Sequence, residues 1–286
     1  MPDDPQLVEM IAALPDSNLA APLRWSSGQT TVEQAIDQLA VYQPLRAEIR
    51  AILSALDWNA PAAIRHLAWA PIARARLEAS LAGVPDDLLD RHPFPGEWSV
   101  RQQLAHVELT DVRYTIATQY AVRRKDGEPL SAPPEAYPPR DDNPAGNAGE
   151  PLAAILSRMR AVRADALAPL LGISAGELLR PTEWHTAEHT IGFRLHRFAQ
   201  HDLELTTDIR RTLAASGFRP TRAMNLAATL VEAGGELDSD LLGVPEGLYD
   251  REVRGSRSLR ACLAHRRATA EYLLGRLRSE SAARAD

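Results

Sequence analysis

The stretch VPDDLLDRHPFPGEWSVRQQLAH, residues 84–106, decides how this chain is read. Its second half opens a helix. Ser99 followed three residues later by Gln102 has the form of a capping box, and Val100, Leu104 and Val107 continue at helical spacing. Trp98, just before the cap, is expected to staple the chain's entry into that helix. The whole stretch then returns as VPEGLYDREVRGSRSLRACLAH at 244–265, sharing V-P-[DE]-x-L-x-D-R and S-[VL]-R-x-x-L-A-H. A weaker pair has nearly the same offset: TVEQAIDQLAVYQPLRAEIRAIL (31–53) against TIGFRLHRFAQHDLELTTDIRRTL (190–213), with Trp25 corresponding to Trp184. The chain therefore reads as an internal duplication with a repeat distance of about 160 residues.

Composition supplies the fold class. Of 286 residues, 45% are hydrophobic, 24% charged and only 5% aromatic, with Ala, Leu and Arg prominent and β-branched residues sparse, which predicts an all-α protein. Apolar periodicity predicts helices over 5–14, 31–57, 66–83, 99–124, 150–171, 185–216, 221–235 and 257–280. The segment 126–151, DGEPLSAPPEAYPPRDDNPAGNAGEP, is too rich in Pro, Gly and Asn for a helix and forms a long connection. A net charge of -6 gives no electrostatic case for nucleic acid, despite VRRK at 122–125. No apolar run is long enough to span a bilayer and the acidic N-terminus resembles no signal, so a cytoplasmic location is expected. Cys262 is the only cysteine, which excludes an intrachain disulfide, and is read as a small core residue. Lys125 is the only lysine and lies beside a Pro-rich loop, which argues against Schiff-base chemistry. DSDLLG at 238–243 begins like a calcium loop but lacks its later ligands, and reads as a polar turn.

At PGEWSVRQQLAHVE (95–108) and LHRFAQHDLE (195–204) the chain resembles the DinB-like superfamily of four-helix bundles. The resemblance covers residues 66–216, including the long crossover between the bundle's second and third helices. It implies a central bundle over 66–216, with 1–65 and 217–286 forming a second, degenerate four-helix bundle from the N- and C-terminal helix pairs. The alternative is a tandem of repeats, 1–125 and 150–286. By resemblance, His106 and His201 stand at two of the family's three metal-ligand positions, and Leu205 stands at the third. The resemblance implies a divalent metal, zinc or nickel, and a low-molecular-weight thiol as cofactors of a thiol S-transferase-type enzyme with an incomplete triad. The rival expectation is a non-catalytic small-molecule-binding or assembly module that has lost its metal site. A small-molecule ligand is the expected partner, with room for a homodimer; no residue is assigned a catalytic role.

The residues carry a reading of their own. On a helical wheel Ile191, Leu195, Phe198, Leu205 and Ile209 form one stripe, and His201 lies on its shoulder, roughly 80° from the centre. His106 is similarly placed beside Val100, Leu104 and Val107, so two helices offer one imidazole each to a shared space. Two histidines alone hold zinc weakly. Asp202, near the centre of the stripe, is the best substitute ligand, with a buried ion pair to an arginine equally consistent. His185, Glu188 and His189 match the H-x-x-E-H zinc-protease pattern, but on the assumed helix they point away from the core and read as an outward face. Trp184 and Trp25 are expected to staple corresponding entries. In the other repeat His265 corresponds to His106, Tyr42 to His201, and Arg46 or Leu45 to Leu205, so that bundle reads as structural.

Overall fold

The computed structural model describes residues 5–25, 28–40, 43–139 and 148–283. Tyr42 lies outside them. In chain order the elements are α1 (Pro5–Ala12), β1 (Pro22–Trp25), β2 (Gly28–Thr31), α2 (Val32–Ala40), α3 (Gln43–Ala55), α4 (Ala62–Leu67), α5 (Trp69–Ala79), α6 (Val100–Arg123), α7 (Leu152–Leu167), β3 (Pro181–Trp184), β4 (Ala187–Thr190), α8 (Ile191–Ala215), α9 (Arg222–Leu241) and α10 (Leu259–Ala283). The protein is mostly helical, with two short antiparallel hairpins.

Those hairpins correct the expected helix boundaries. The helix predicted from 185 starts only at Ile191, because 181–190 pair with Pro181 opposite Thr190 and Trp184 opposite Ala187. The two-residue turn places His185 at φ +53°, a left-handed conformation that an α-helix excludes. Thr190 ends the hairpin and caps α8, its hydroxyl accepting from Phe193 N at 3.2 Å. The first hairpin has the same register, Pro22 opposite Thr31 and Trp25 opposite Gly28, and Thr31 accepts from Gln34 N at 3.2 Å as α2 begins. The helix expected over 31–57 is thus α2 and α3, and that over 66–83 is α4 and α5. Pro44 and Pro71 each fall in the first turn of the later helix, where the missing N–H costs nothing. Residues 238–241 are the last turn of α9, not a loop.

The chain divides into two compact units. The first comprises Met1–Asn59, Glu78–Gly83 and Pro220–Asp286; the second comprises Ala60–Leu77 and Val84–Arg219. In unit 1 one core joins Leu7, Ile11, Leu23, Ile36 and Leu39 to Leu230, Leu273 and Leu277, and another joins Ile49 and Ile52 to Leu237, Leu259 and Cys262. Asp16 caps α9 from a distance, accepting from Ala223 N at 3.0 Å.

Unit 2 holds α6 against α7 and α8, with the long connection between α6 and α7. The capping box at Ser99 and Gln102 forms as expected, Ser99 N donating to Gln102 Oε1 at 2.8 Å. At the bundle's centre four buried charges meet, one from each of α5, α6, α7 and α8: Arg74, Asp111, Arg163 and Asp202. Arg163 reaches Asp111 at 2.8 Å and Asp202 at 2.9 Å; Arg74 reaches Asp111 at 2.9 Å and Asp202 at 3.2 Å. Two cations and two anions cancel, which is the condition under which such a cluster can be buried.

The entries to α6 and α10 are built alike. Arg101 N donates to Leu89 O at 2.9 Å while its guanidinium holds Asp90; Arg260 N donates to Tyr249 O at 2.9 Å while its guanidinium holds Asp250.

Candidate functional site

His106 lies two turns into α6 and His201 midway along α8, and the structure brings them together. Their Nε2 atoms are 3.2 Å apart and their ring centroids 5.1 Å apart. Trp98 lies tilted against His106 at 5.0 Å, and Tyr114 meets His201 edge-on at 5.8 Å and Trp184 at 4.9 Å. These rings wall a cavity of about 380 Å³, completed on its polar side by Arg113 and Arg197. Arg194 anchors Trp184 to the hairpin: buried, it donates to Thr182 Oγ1 at 2.7 Å and to Glu183 O, with its guanidinium 5.5 Å from the indole.

His201 is 7% exposed, and burial, reinforced by the neighbouring His106, lowers its pKa to about 3. At neutral pH it is therefore uncharged, and one Nε2 of the pair must donate while the other accepts. A histidine whose folded pKa lies below its unfolded value stabilises fully above about pH 6.5 and loses that stabilisation as pH falls towards 3. The unit's stability should fall across this window with a contribution of up to about 1.4 kcal/mol per pH unit from this one proton. Replacing His201 with Phe should flatten that part of a pH series of denaturant melts; an unchanged slope would show that His201 carries no such penalty.

The donor set does not fit a three-ligand metal site. Among the described residues no group of three or more His, Cys, Asp or Glu side chains is placed to hold an ion. Leu205, 8% exposed, puts hydrocarbon one turn beyond His201. Asp202, the expected substitute ligand, is fully buried and held by Arg74 and Arg163, which realises the ion-pair reading of that residue. Glu204 is held by Arg197 at 3.1 Å. Two imidazoles remain, short of the three protein donors usual for zinc.

The helix expected under the H-x-x-E-H segment is corrected: the segment lies on a hairpin, with His185 and Glu188 exposed, His185 also lining the cavity, and His189 stacked on Phe193 at 4.0 Å. His196 does not join it; its Nε2 lies 2.8 Å from Nδ1 of His66. The tryptophans expected as staples also line cavities, Trp98 and Trp184 here. Arg113, Tyr114 and Arg197 were not singled out from the sequence, and one signal pointed to them: each lies one or two helical turns from a candidate histidine on the same helix.

No curated protein and no solved structure gives a significant match to this chain. The family model described as DinB superfamily matches residues 72–204, a span that starts in α5, crosses the long connection and contains both cavity histidines. With the helical bundle and the His106–His201 pair in place, this part of the chain belongs to the DinB superfamily.

Proposed function

We propose that unit 2 is a small-molecule-binding module whose ligand is an organic anion with a planar apolar body. The observation that carries this reading is the make-up of the cavity wall: Trp98, Tyr114 and Trp184 offer aromatic rings, Arg113 and Arg197 offer guanidinium groups, and among the described residues no carboxylate lines it. Arg197 is the better anchor. It lies over Trp184 at 5.1 Å, its buried Nε has no hydrogen-bond partner among the described residues, and of its partners Tyr114 and Glu204 the latter is 46% exposed and can yield to a bound anion. The His106–His201 contact, with His201 uncharged, adds imidazole nitrogens to the same wall.

A second reading, a metal-assisted thiol S-transferase, is favoured by one feature: the two Nε2 atoms converge beside the same cavity. A zinc or nickel ion supplied there would act as Lewis acid and thiolate organiser. His185 also lines that cavity, but among the described residues no three donors are placed to hold an ion, so the remaining donors would come from the ligand or from water.

Titration of the full chain with 1-naphthoate and with the uncharged 1-naphthylmethanol tests the first reading. Naphthoate should bind with one equivalent, and Arg197→Gln should weaken it about tenfold or more, in line with the ~1.5–3 kcal/mol of a charge-assisted hydrogen bond, while leaving the alcohol unaffected. Equal binding of acid and alcohol would overturn it. Stoichiometric zinc or nickel in protein purified without chelator or affinity resin, lost in His201→Ala, would establish the second reading instead.

We also propose that the two halves of the chain descend from one duplicated segment, a reading supported by the matching hairpin registers and by the matching entries of α6 and α10.

A further inference from the structure

Unit 1 contains a cavity of its own, about 330 Å³, reached by Trp25 from its hairpin, by α2 and α3, and by the start of α10. Its walls are not a random set. Trp25, Gln38, Arg257, His265 and Thr269 line it, and adding or subtracting 159 converts these in turn to Trp184, Arg197, Trp98, His106 and Thr110, all of which line the cavity of unit 2. The same hairpin register sets both tryptophans, and the same backbone entry sets both histidine-bearing helices. A cavity recurring at corresponding positions, with its chemistry altered, is a built feature of this unit. Its residues lie outside the span matched by the family model.

The alterations define the ligand. Where unit 2 has the Arg197 guanidinium, unit 1 has the neutral amide of Gln38; where unit 2 has the Trp98 indole, unit 1 has the Arg257 guanidinium. Arg257 is paired with Glu48, Nε to Oε1 at 3.1 Å and NH2 to Oε2 at 2.6 Å, and both side chains line the cavity while keeping partial exposure of 43% and 26%. The lining thus carries a cation and an anion side by side, together with the apolar side chains of Trp25, Leu39 and Leu45.

We infer that the unit 1 cavity is a second ligand site, selective for a small zwitterion: a carboxylate to reach Arg257, an ammonium to reach Glu48, and an apolar or aromatic part to lie against Trp25. An anion alone would have to displace Glu48 from Arg257, and a cation alone would have to displace Arg257 from Glu48; the zwitterion replaces both halves of the pair at once.

The test uses the full chain carrying Arg197→Gln, which removes the anion anchor proposed for unit 2, and three matched probes: phenylalanine as zwitterion, 3-phenylpropionate as anion and phenethylamine as cation. Phenylalanine is expected to bind with one equivalent and at least fivefold more tightly than either singly charged analogue. Glu48→Gln and Arg257→Gln, each added to that chain, should weaken phenylalanine binding tenfold or more, and restoring Arg197 in unit 2 should leave it unchanged. The milder Glu48→Asp and Arg257→Lys, checked for unchanged thermal melting, serve if either first variant fails to fold. The inference is overturned if phenylpropionate or phenethylamine binds as well as phenylalanine, if none of the three binds, or if binding follows Arg197 in place of Glu48 and Arg257.

Discussion

Replacing Asp202 with Ala is expected to cost unit 2 about 3–5 kcal/mol, the usual penalty for removing one member of a buried ion-pair cluster. Asp202 is fully buried, and its two oxygens take hydrogen bonds from both Arg74 and Arg163. Without it, two guanidinium groups at 5% and 6% exposure share the single carboxylate of Asp111, and the bundle's centre carries an uncompensated positive charge. A loss of this size is a large part of the ~5–15 kcal/mol that holds a typical domain folded. Because the four members come from four helices, the effect should appear as a cooperative loss of the whole unit. Denaturant melts followed by far-ultraviolet circular dichroism measure it, with Asp202→Asn separating loss of charge from loss of shape. A cost below about 1 kcal/mol would mean that water reaches the cluster and screens it. Acid should act on the same cluster through Asp111. Burial pushes its carboxyl up, but Arg163 and Arg74 outweigh burial and hold it below the usual carboxylate range. Its contribution is present above the ordinary carboxylate pKa and is lost as pH falls through the lowered one.

The residues that became legible early were those whose role depends on local spacing. Ser99 and Gln102 announce a helix start within four residues, and His106 and His201 sit beside apolar stripes that any helical wheel displays. Asp202 stood out for the same reason, as a carboxylate in the middle of an apolar stripe. Its partners did not, because Arg74 and Arg163 are 128 and 39 residues away in sequence, and which arginine reaches it is decided by packing. The hairpins were illegible on other grounds. PTEWHTAEHT lacks the Asn-Gly or Gly-Gly turn that marks a two-residue hairpin, and its apolar residues fit the helix that follows just as well. The hairpin moves two features: the H-x-x-E-H segment leaves the helix, and Trp184 comes to line the cavity from the end of a strand. Trp25 lines a cavity in unit 1 in the same way, beside His265, the two residues that the repeat matches to Trp184 and His106.

Leu205→His is expected to convert the weak two-histidine arrangement into a stoichiometric zinc site, tightening zinc binding at least about a hundredfold, or about 2.7 kcal/mol. Position 205 lies one helical turn beyond His201 on α8, and residues four apart on a helix share a face, so the new imidazole joins the side of α8 that already meets His106. With His106 from α6, three nitrogen donors then come from two packed helices, and water or ligand can fill the fourth position. The substitution also places a polar ring where a leucine is 8% exposed, so some stability is lost in the absence of metal. Leu205→Gln measures that loss without offering an imidazole. Zinc should restore the stability of Leu205→His by mass action, by about 2.7 kcal/mol at a hundredfold excess over the dissociation constant, and should do nothing for Leu205→Gln. Adding His106→Ala or His201→Ala to Leu205→His should abolish the gain, since each removes one of three donors. Competition with a chromophoric chelator reads the affinity directly. If Leu205→His binds zinc no better than the natural protein, the two histidines are not aimed as a metal pair, the transferase reading falls, and the His106–His201 contact stands as a hydrogen bond lining an organic ligand's cavity.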